Sequence, residues 1–286
     1  MLMIFNLTPG LIFILGGLLS FFAKGLIQKS IVLITPIISF LTILSLSSVD
    51  SLSFPFLTTY LDLLRVDKLS LIFGYVFTIS SFFGFIYGFQ FAKRSEYTSA
   101  LLYIGAALSV IFAGDLITLY IFWELMALTS VFLILLNKTD ESRKSALRYL
   151  IVHLVGGLVL LSGIILHIHE TGNIGFNSLS VNNTATWLML VGVLVNVAAI
   201  PMSSWLPDSY PNSTLMGGVI MSAYTSKTAV YVLLRGFSGT DLLIWLGAAM
   251  AIYGVIYGLI ENNIRRVLAY SIINQVGFMV CAVGIG

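Results

Sequence analysis

The stretch TLYIFWELMALTSVFLILL, Thr118–Leu136, decides the fold. Its 19 residues carry one charge, Glu124, and a run of this length and apolarity matches the roughly 20 residues needed to cross a bilayer as a helix. An ionised carboxylate in hydrocarbon costs about 2.5–3.5 kcal/mol on insertion scales unless something compensates it. The chain therefore has either a static clamp or a functional group at this position.

The remainder of the sequence has the same character. Of 286 residues, 58% are hydrophobic and 9% charged, and the mean hydropathy is +1.02. Soluble domains carry about 25% charged residues, so the composition points to a membrane protein. A net charge of +2 without a basic tract argues against a nucleic-acid partner. The single cysteine, Cys281, excludes an internal disulfide, an iron–sulfur cluster and a multi-cysteine zinc site. No residue before Lys24 is charged, so the expected first segment is a retained span and not a cleaved leader.

Apolar runs fall near 7–23, 31–49, 69–92, 98–114, 116–136, 146–168, 187–206, 213–234, 242–260 and 267–286. The sequence thus predicts an all-α polytopic membrane protein of about ten transmembrane helices. The segment DSLSFPFLTTYLDLLRVDK, Asp50–Lys68, is expected to form a structured surface loop. Lys24, Lys29, Lys93, Arg94, Lys138, Arg143, Lys144, Arg148, Arg265 and Arg266 follow alternate spans. That asymmetry places the N-terminus on the outer side of a cell membrane. Ten spans would return the C-terminus to the same side, and the chain stops at CAVGIG without a polar tail, which reads as an interrupted architecture.

With this orientation, helical rise converts sequence distance to depth. Glu124 is nine residues past Asp115, about 13 Å inward; Lys227 is eight residues before Arg235, about 12 Å; Asn196 is nine residues past Trp187, about 13 Å. A carboxylate, an ammonium and an amide are therefore expected in one mid-membrane layer. His153 lies five residues past Arg148, about 8 Å from the cytoplasmic end. Tyr224 and Tyr231 flank Lys227 at helical spacing and extend its polar face. The competing readings are a Glu–Lys clamp between helices, and His153 or Asn196 bonding across a helix interface. HIHE, His167–Glu170, has metal-like residues but lies at a membrane edge, and no metal or cofactor site is assigned. Neither a phosphate loop nor a nucleophile–histidine–acid set stands out, so no covalent chemistry is expected.

Small-residue runs recur at YIGAALSV (Tyr103–Val110) and WLGAAMAI (Trp245–Ile252), a faint internal echo. Four longer motifs carry a family resemblance: FWELMALTS (122–130), PMSSWLPDSYP (201–211), SKTAVYVLLR (226–235) and IRRVLAYSIINQVGF (264–278). In that order they resemble the antiporter-like subunits shared by respiratory complex I and Mrp cation/proton antiporters. The same modules occur in membrane-bound hydrogenases and archaeal sulfane reductases. ENNIRRVLAY and RGFSGTDLLIWLGAAMAIYGVIYG look most like the hydrogenase-type, Mrp-D-like branch.

The resemblance implies inverted five-helix repeats: a three-helix region at 1–97, a first repeat at 98–236 (spans four to eight) and the start of a second at 237–286. It matches Glu124 to the family's essential glutamate and Lys227 to its central lysine. Where relatives commonly place a lysine five residues before the proline of P-x-x-x-W-L-P-D, this chain has Asn196. Where many relatives carry histidines near LAY or before GF, it has Ser271 and Gln275. The implied function is movement of H⁺, with Na⁺/H⁺ exchange as an extension, within a redox-driven complex of integral membrane subunits. Glu124, Lys227, His153, Asn196, Tyr224, Tyr231 and Arg148 would form the path. The alternative is a degenerate, non-pumping structural subunit of the same kind of complex.

Overall fold

A computed structural model describes residues 7–47, 50–56 and 59–286. Helices dominate: α1 (Pro9–Phe22), α2 (Gly25–Ser45), α3 (Lys68–Gly88), α4 (Arg94–Phe112), α5 (Leu116–Leu135), α6 (Asp140–Thr171), α7 (Thr184–Val197), α8 (Trp205–Ser209), α9 (Leu215–Gly236), α10 (Asp241–Ile260) and α11 (Ile264–Ile285). Among the described residues, eight segments are long and apolar enough to cross a membrane, with α7 and α8 counted as one segment, Thr184–Ser209. The 14-residue α1 and the more polar α9 are the remaining two of the ten expected spans.

The chain divides into two compact units, 1–136 with 214–224 and 137–213 with 225–286, so α9 is shared between them. In the first unit α4 is the central helix, and every residue from Tyr103 to Phe112 is buried. Small residues explain how closely it is wrapped. A Cβ on Gly105 would stand 2.8 Å from the Gly10 carbonyl oxygen of α1, and one on Gly10 would stand 2.7 Å from the Ser109 amide. Only helices without side chains at the crossing can approach this closely. Arg94 Nη2 donates to the Phe21 carbonyl at one end of the same α1–α4 contact.

The segment 50–68 is more regular than a surface loop. Strands β1 (Ser51–Phe56) and β2 (Thr59–Arg65) form an antiparallel hairpin with a register irregularity at Leu52/Ser53. Residues 57 and 58 of that stretch, and 48 and 49 at the end of the 31–49 run, lie outside the described residues. The hairpin is tied to α5: the Asp62 amide donates to Asp115 Oδ2 at 2.7 Å and the Gly114 amide to the Asp62 carbonyl at 2.8 Å.

In the second unit, glycines again set the seams. On α6, Gly156 and Gly163 face Val195 and Met189 of α7, while Gly192 of α7 faces Leu160. On α10 and α11, Gly247 lies against Gly277 and Cys281, and Gly254 against Asn274, whose Nδ2 donates to the Ala251 carbonyl at 2.8 Å. Helix α6 begins earlier than the apolar run, capped by Thr139 Oγ1 accepting from the Ser142 amide at 3.0 Å. Its 32 residues extend about 48 Å, well past a hydrocarbon core of about 30 Å, so its charged first turns stand beyond the apolar run.

The span expected at 187–206 falls within the apolar segment Thr184–Ser209, but its helix is interrupted. Helix α7 stops at Val197, Ala198 adopts a left-handed conformation (φ 62°, ψ 42°), and the chain resumes with a 3₁₀ turn at Met202–Ser204 followed by α8. Pro201 has no amide hydrogen to continue the helical ladder, and its ring disfavours helix in the residue before it.

Candidate functional site

Helix α5 positions Glu124. Its start is fixed by Asp115, which is 1% exposed and accepts four hydrogen bonds: from the Ile117 amide at 2.9 Å, the Thr118 amide at 2.7 Å, the Thr118 hydroxyl at 2.6 Å and the Asp62 amide. Glu124 then falls mid-helix and half-buried, with Oε1 buried and without a hydrogen-bond partner among the described residues. The adjacent Trp123 has its indole N–H in the same condition.

Tyr224, also in the first unit, is fully buried. Its hydroxyl donates to the Phe77 carbonyl at 2.9 Å, and its ring packs edge-on against Phe77 and Tyr103. The polar face expected around Lys227 is thus built differently. Tyr231, the other flanking tyrosine, accepts from Arg235 Nε at 2.8 Å. The immediate neighbours of half-buried Lys227 are Ser226 and Thr228, both buried, and the Thr228 hydroxyl lacks a hydrogen-bond partner among the described residues. Helical spacing points to the tyrosines and gives no sign of these hydroxyls.

Asn196 sits at the broken end of α7, one residue before Val197. It is 0% exposed, and neither amide atom has a hydrogen-bond partner among the described residues. The neighbouring Val195 carbonyl is held by Trp205, whose Nε1–H donates to it at 2.9 Å across the break.

His153 lies on α6 in the same unit, 1% exposed, with Nδ1 2.9 Å from the Tyr149 carbonyl oxygen. A carbonyl only accepts, so Nδ1 carries the proton, and in the neutral ring Nε2 is a bare acceptor. That Nε2 is buried and lacks a partner among the described residues. The ring stacks on Tyr149 at 3.9 Å and meets Trp205 edge-on at 4.5 Å. Arg148, five residues earlier, forms a two-pronged pair with Asp208: Nε to Oδ2 at 2.8 Å and Nη2 to Oδ1 at 2.7 Å.

The second unit therefore gathers Arg148, His153 and the end of α7 around Trp205. Sequence reading named three of these positions but missed Trp205 and Asp208 as their organisers. The motif PMSSWLPDSYP was visible, yet no spacing rule links Asp208 to an arginine 60 residues away.

The "NADH:quinone oxidoreductase/Mrp antiporter, TM" family matches residues 113–286. A Na(+)/H(+) antiporter subunit from Alkalihalophilus pseudofirmus is 28% identical over 245 residues, 77% of this chain and 30% of that protein. A chain of the Mrp complex from a Dietzia species superposes with a TM-score of 0.85 at 23% identity, over 99% of this chain and 34% of that one. A chain of the membrane-bound sulfane sulfur reductase, an archaeal respiratory membrane complex, gives 0.83 at 22% identity, over 97% and 63%. These structural likenesses establish the fold. The chain spans about a third of the length of the antiporter proteins it matches.

Proposed function

Because the chain belongs to the NADH:quinone oxidoreductase/Mrp antiporter family, as a multi-pass antiporter-like membrane protein, we propose that it moves protons across a membrane, with Na⁺/H⁺ exchange as a variant of the same chemistry. In this reading it works as one integral subunit of a redox-driven complex. The observation that carries the proposal is Glu124: the only charge within α5, with a buried carboxylate oxygen that no described residue satisfies. A structural carboxylate at that depth would be expected to have donors, as buried polar groups normally do. A proton-carrying one must be able to exist both ionised and neutral, and a fixed set of donors would oppose that exchange.

Lys227 would be the cationic counterpart, with Ser226 and Thr228 beside it, and His153 the first station on the cytoplasmic side. Tyr224 and Tyr231 would position α9, and Arg148 would guard the cytoplasmic end. The proposed organisation remains 1–97, 98–236 and 237–286, with the N-terminus outside. Lys227→Met in the intact complex should lower ion transport while assembly persists; undiminished transport would make Lys227 a clamp. Single cysteines at Ser95 and Ser142 should react with impermeant reagents only from the cytoplasm, and labelling of either from outside would reverse the orientation.

One observation favours the second reading, a structural subunit that does not pump. The family resemblance sets Asn196 at a position where a lysine is common, and an amide cannot take or release a proton at physiological pH. Transport that survives in the parent complex and falls in Lys227→Met would exclude this reading.

A further inference from the structure

On the second unit, an open groove of about 320 Å³ is lined by Arg148, Ile151, Val152, Ser204, Trp205 and Asp208. Trp205 belongs to that lining. The same residue is 3% exposed and its ring lies edge-on against His153 at 4.5 Å, so the indole borders both the groove and the buried imidazole. Beyond that ring, His153 offers a hydrogen-bond acceptor, Nε2, that no described residue satisfies.

We propose that this groove is the mouth of a route to a buried site at His153 Nε2 that takes a small hydrogen-bond donor, water or hydronium, and that Trp205 closes it under the control of the Arg148–Asp208 pair. The inference rests on His153 being a cytoplasmic station and adds how that station is reached.

The closing parts are explicit. Asp208 lies on α8, three residues after Trp205, so whatever holds Asp208 holds the indole. Three contacts do so: Arg148 in a two-pronged bond, the Ser145 hydroxyl donating to the Asp208 carbonyl at 3.1 Å, and Asn212 Nδ2 donating to the same carbonyl at 2.8 Å. Trp205 is fixed from its other edge by its bond to the Val195 carbonyl. Of these contacts, the ion pair is the one open to the groove, with side-chain exposures of 55% and 27%. A surface pair of this kind contributes little to overall stability, so it can break and re-form without unfolding the helices around it. The ligand follows from the acceptor. Nδ1 is committed to Tyr149, so only a donor can satisfy Nε2, and a buried nitrogen flanked by the Tyr149 and Trp205 rings favours a small one.

The test reads access rather than transport. In a Cys281→Ser background, His153→Cys is exposed to a cationic, membrane-impermeant methanethiosulfonate in membranes containing the whole complex. Ile151→Cys, on the groove wall, serves as the reactive control. With the ion pair intact, the thiol introduced by His153→Cys should label at least tenfold more slowly than the one introduced by Ile151→Cys. Adding Arg148→Gln or Asp208→Asn should each raise the rate of the buried thiol about tenfold, from one side of the membrane only. The exchanged pair Arg148→Asp with Asp208→Arg should restore slow labelling. Because either single variant reads the same contact, failure of one to accumulate leaves the other to decide. Equal rates with and without the ion pair, or rapid labelling of His153→Cys with the pair intact, would overturn the gate. Gated labelling alongside transport insensitive to Lys227 would leave the gate standing and sink the pumping proposal instead.

Discussion

Asp115 and Glu124 stand at the head and in the middle of α5, and the protein treats these two carboxylates in opposite ways. Asp115 is enclosed by four donors, caps the helix and ties it to the β1–β2 hairpin. Glu124 has a buried oxygen with none among the described residues. Burial of a polar group costs little when its bonds are made and about 1–3 kcal/mol when they are not. The head of α5 is therefore built for stability, and its middle retains a group that stability alone would remove. Asn196 and His153 repeat the second pattern in the other compact unit, each with buried polar atoms lacking partners among the described residues.

The contrast can be broken by substitution. The largest effect is expected from Asp115→Ala, which removes a helix cap and strands several buried donors at once. The loss should be about 3 kcal/mol or more, from about 1 kcal/mol for the cap and the remainder for orphaned donors. Thermal unfolding in detergent would show it, and Asp115→Asn, which keeps part of the acceptor set, should recover some of the loss. A small shift for Asp115→Ala would mean that its four bonds are dispensable and that the contrast is empty.

A smaller effect of opposite sign is expected at Asn196. Replacing an unsatisfied amide by an apolar side chain of similar size relieves its desolvation cost, so Asn196→Leu should unfold at the same temperature or higher, by about 1 kcal/mol. Destabilisation of Asn196→Leu similar to that of Asp115→Ala would show that the amide has partners and is structural.

Much of this was legible in the sequence, for reasons that particular residues make plain. Spans such as Leu116–Leu135 follow from unbroken apolar runs bounded by polar residues, and Glu124 announces itself as a lone charge within one. The break in α7 was missed because hydropathy averages across Ala198–Ser204, where the residues stay mostly apolar while the backbone leaves the helix. Pro201 was the local signal that a span should end there. The hairpin was missed because Pro55 and a mixed pattern obscure its alternation. The clamp at Trp205 lay beyond reach for another reason. Arg148, Asp208 and His153 come together only when α6 meets α8, and pairings across some 60 residues leave no periodic trace.

The central claim, that Glu124 is kept for transport and not for the fold, is tested most directly by Glu124→Gln in the intact complex reconstituted into vesicles, with proton uptake and thermal stability measured on the same preparation. The account predicts stability within about 1 kcal/mol of the parent, because the amide is nearly isosteric and no fixed donor is lost, together with proton uptake reduced to background. Undiminished uptake, or a loss of stability on the scale of Asp115→Ala, would contradict it.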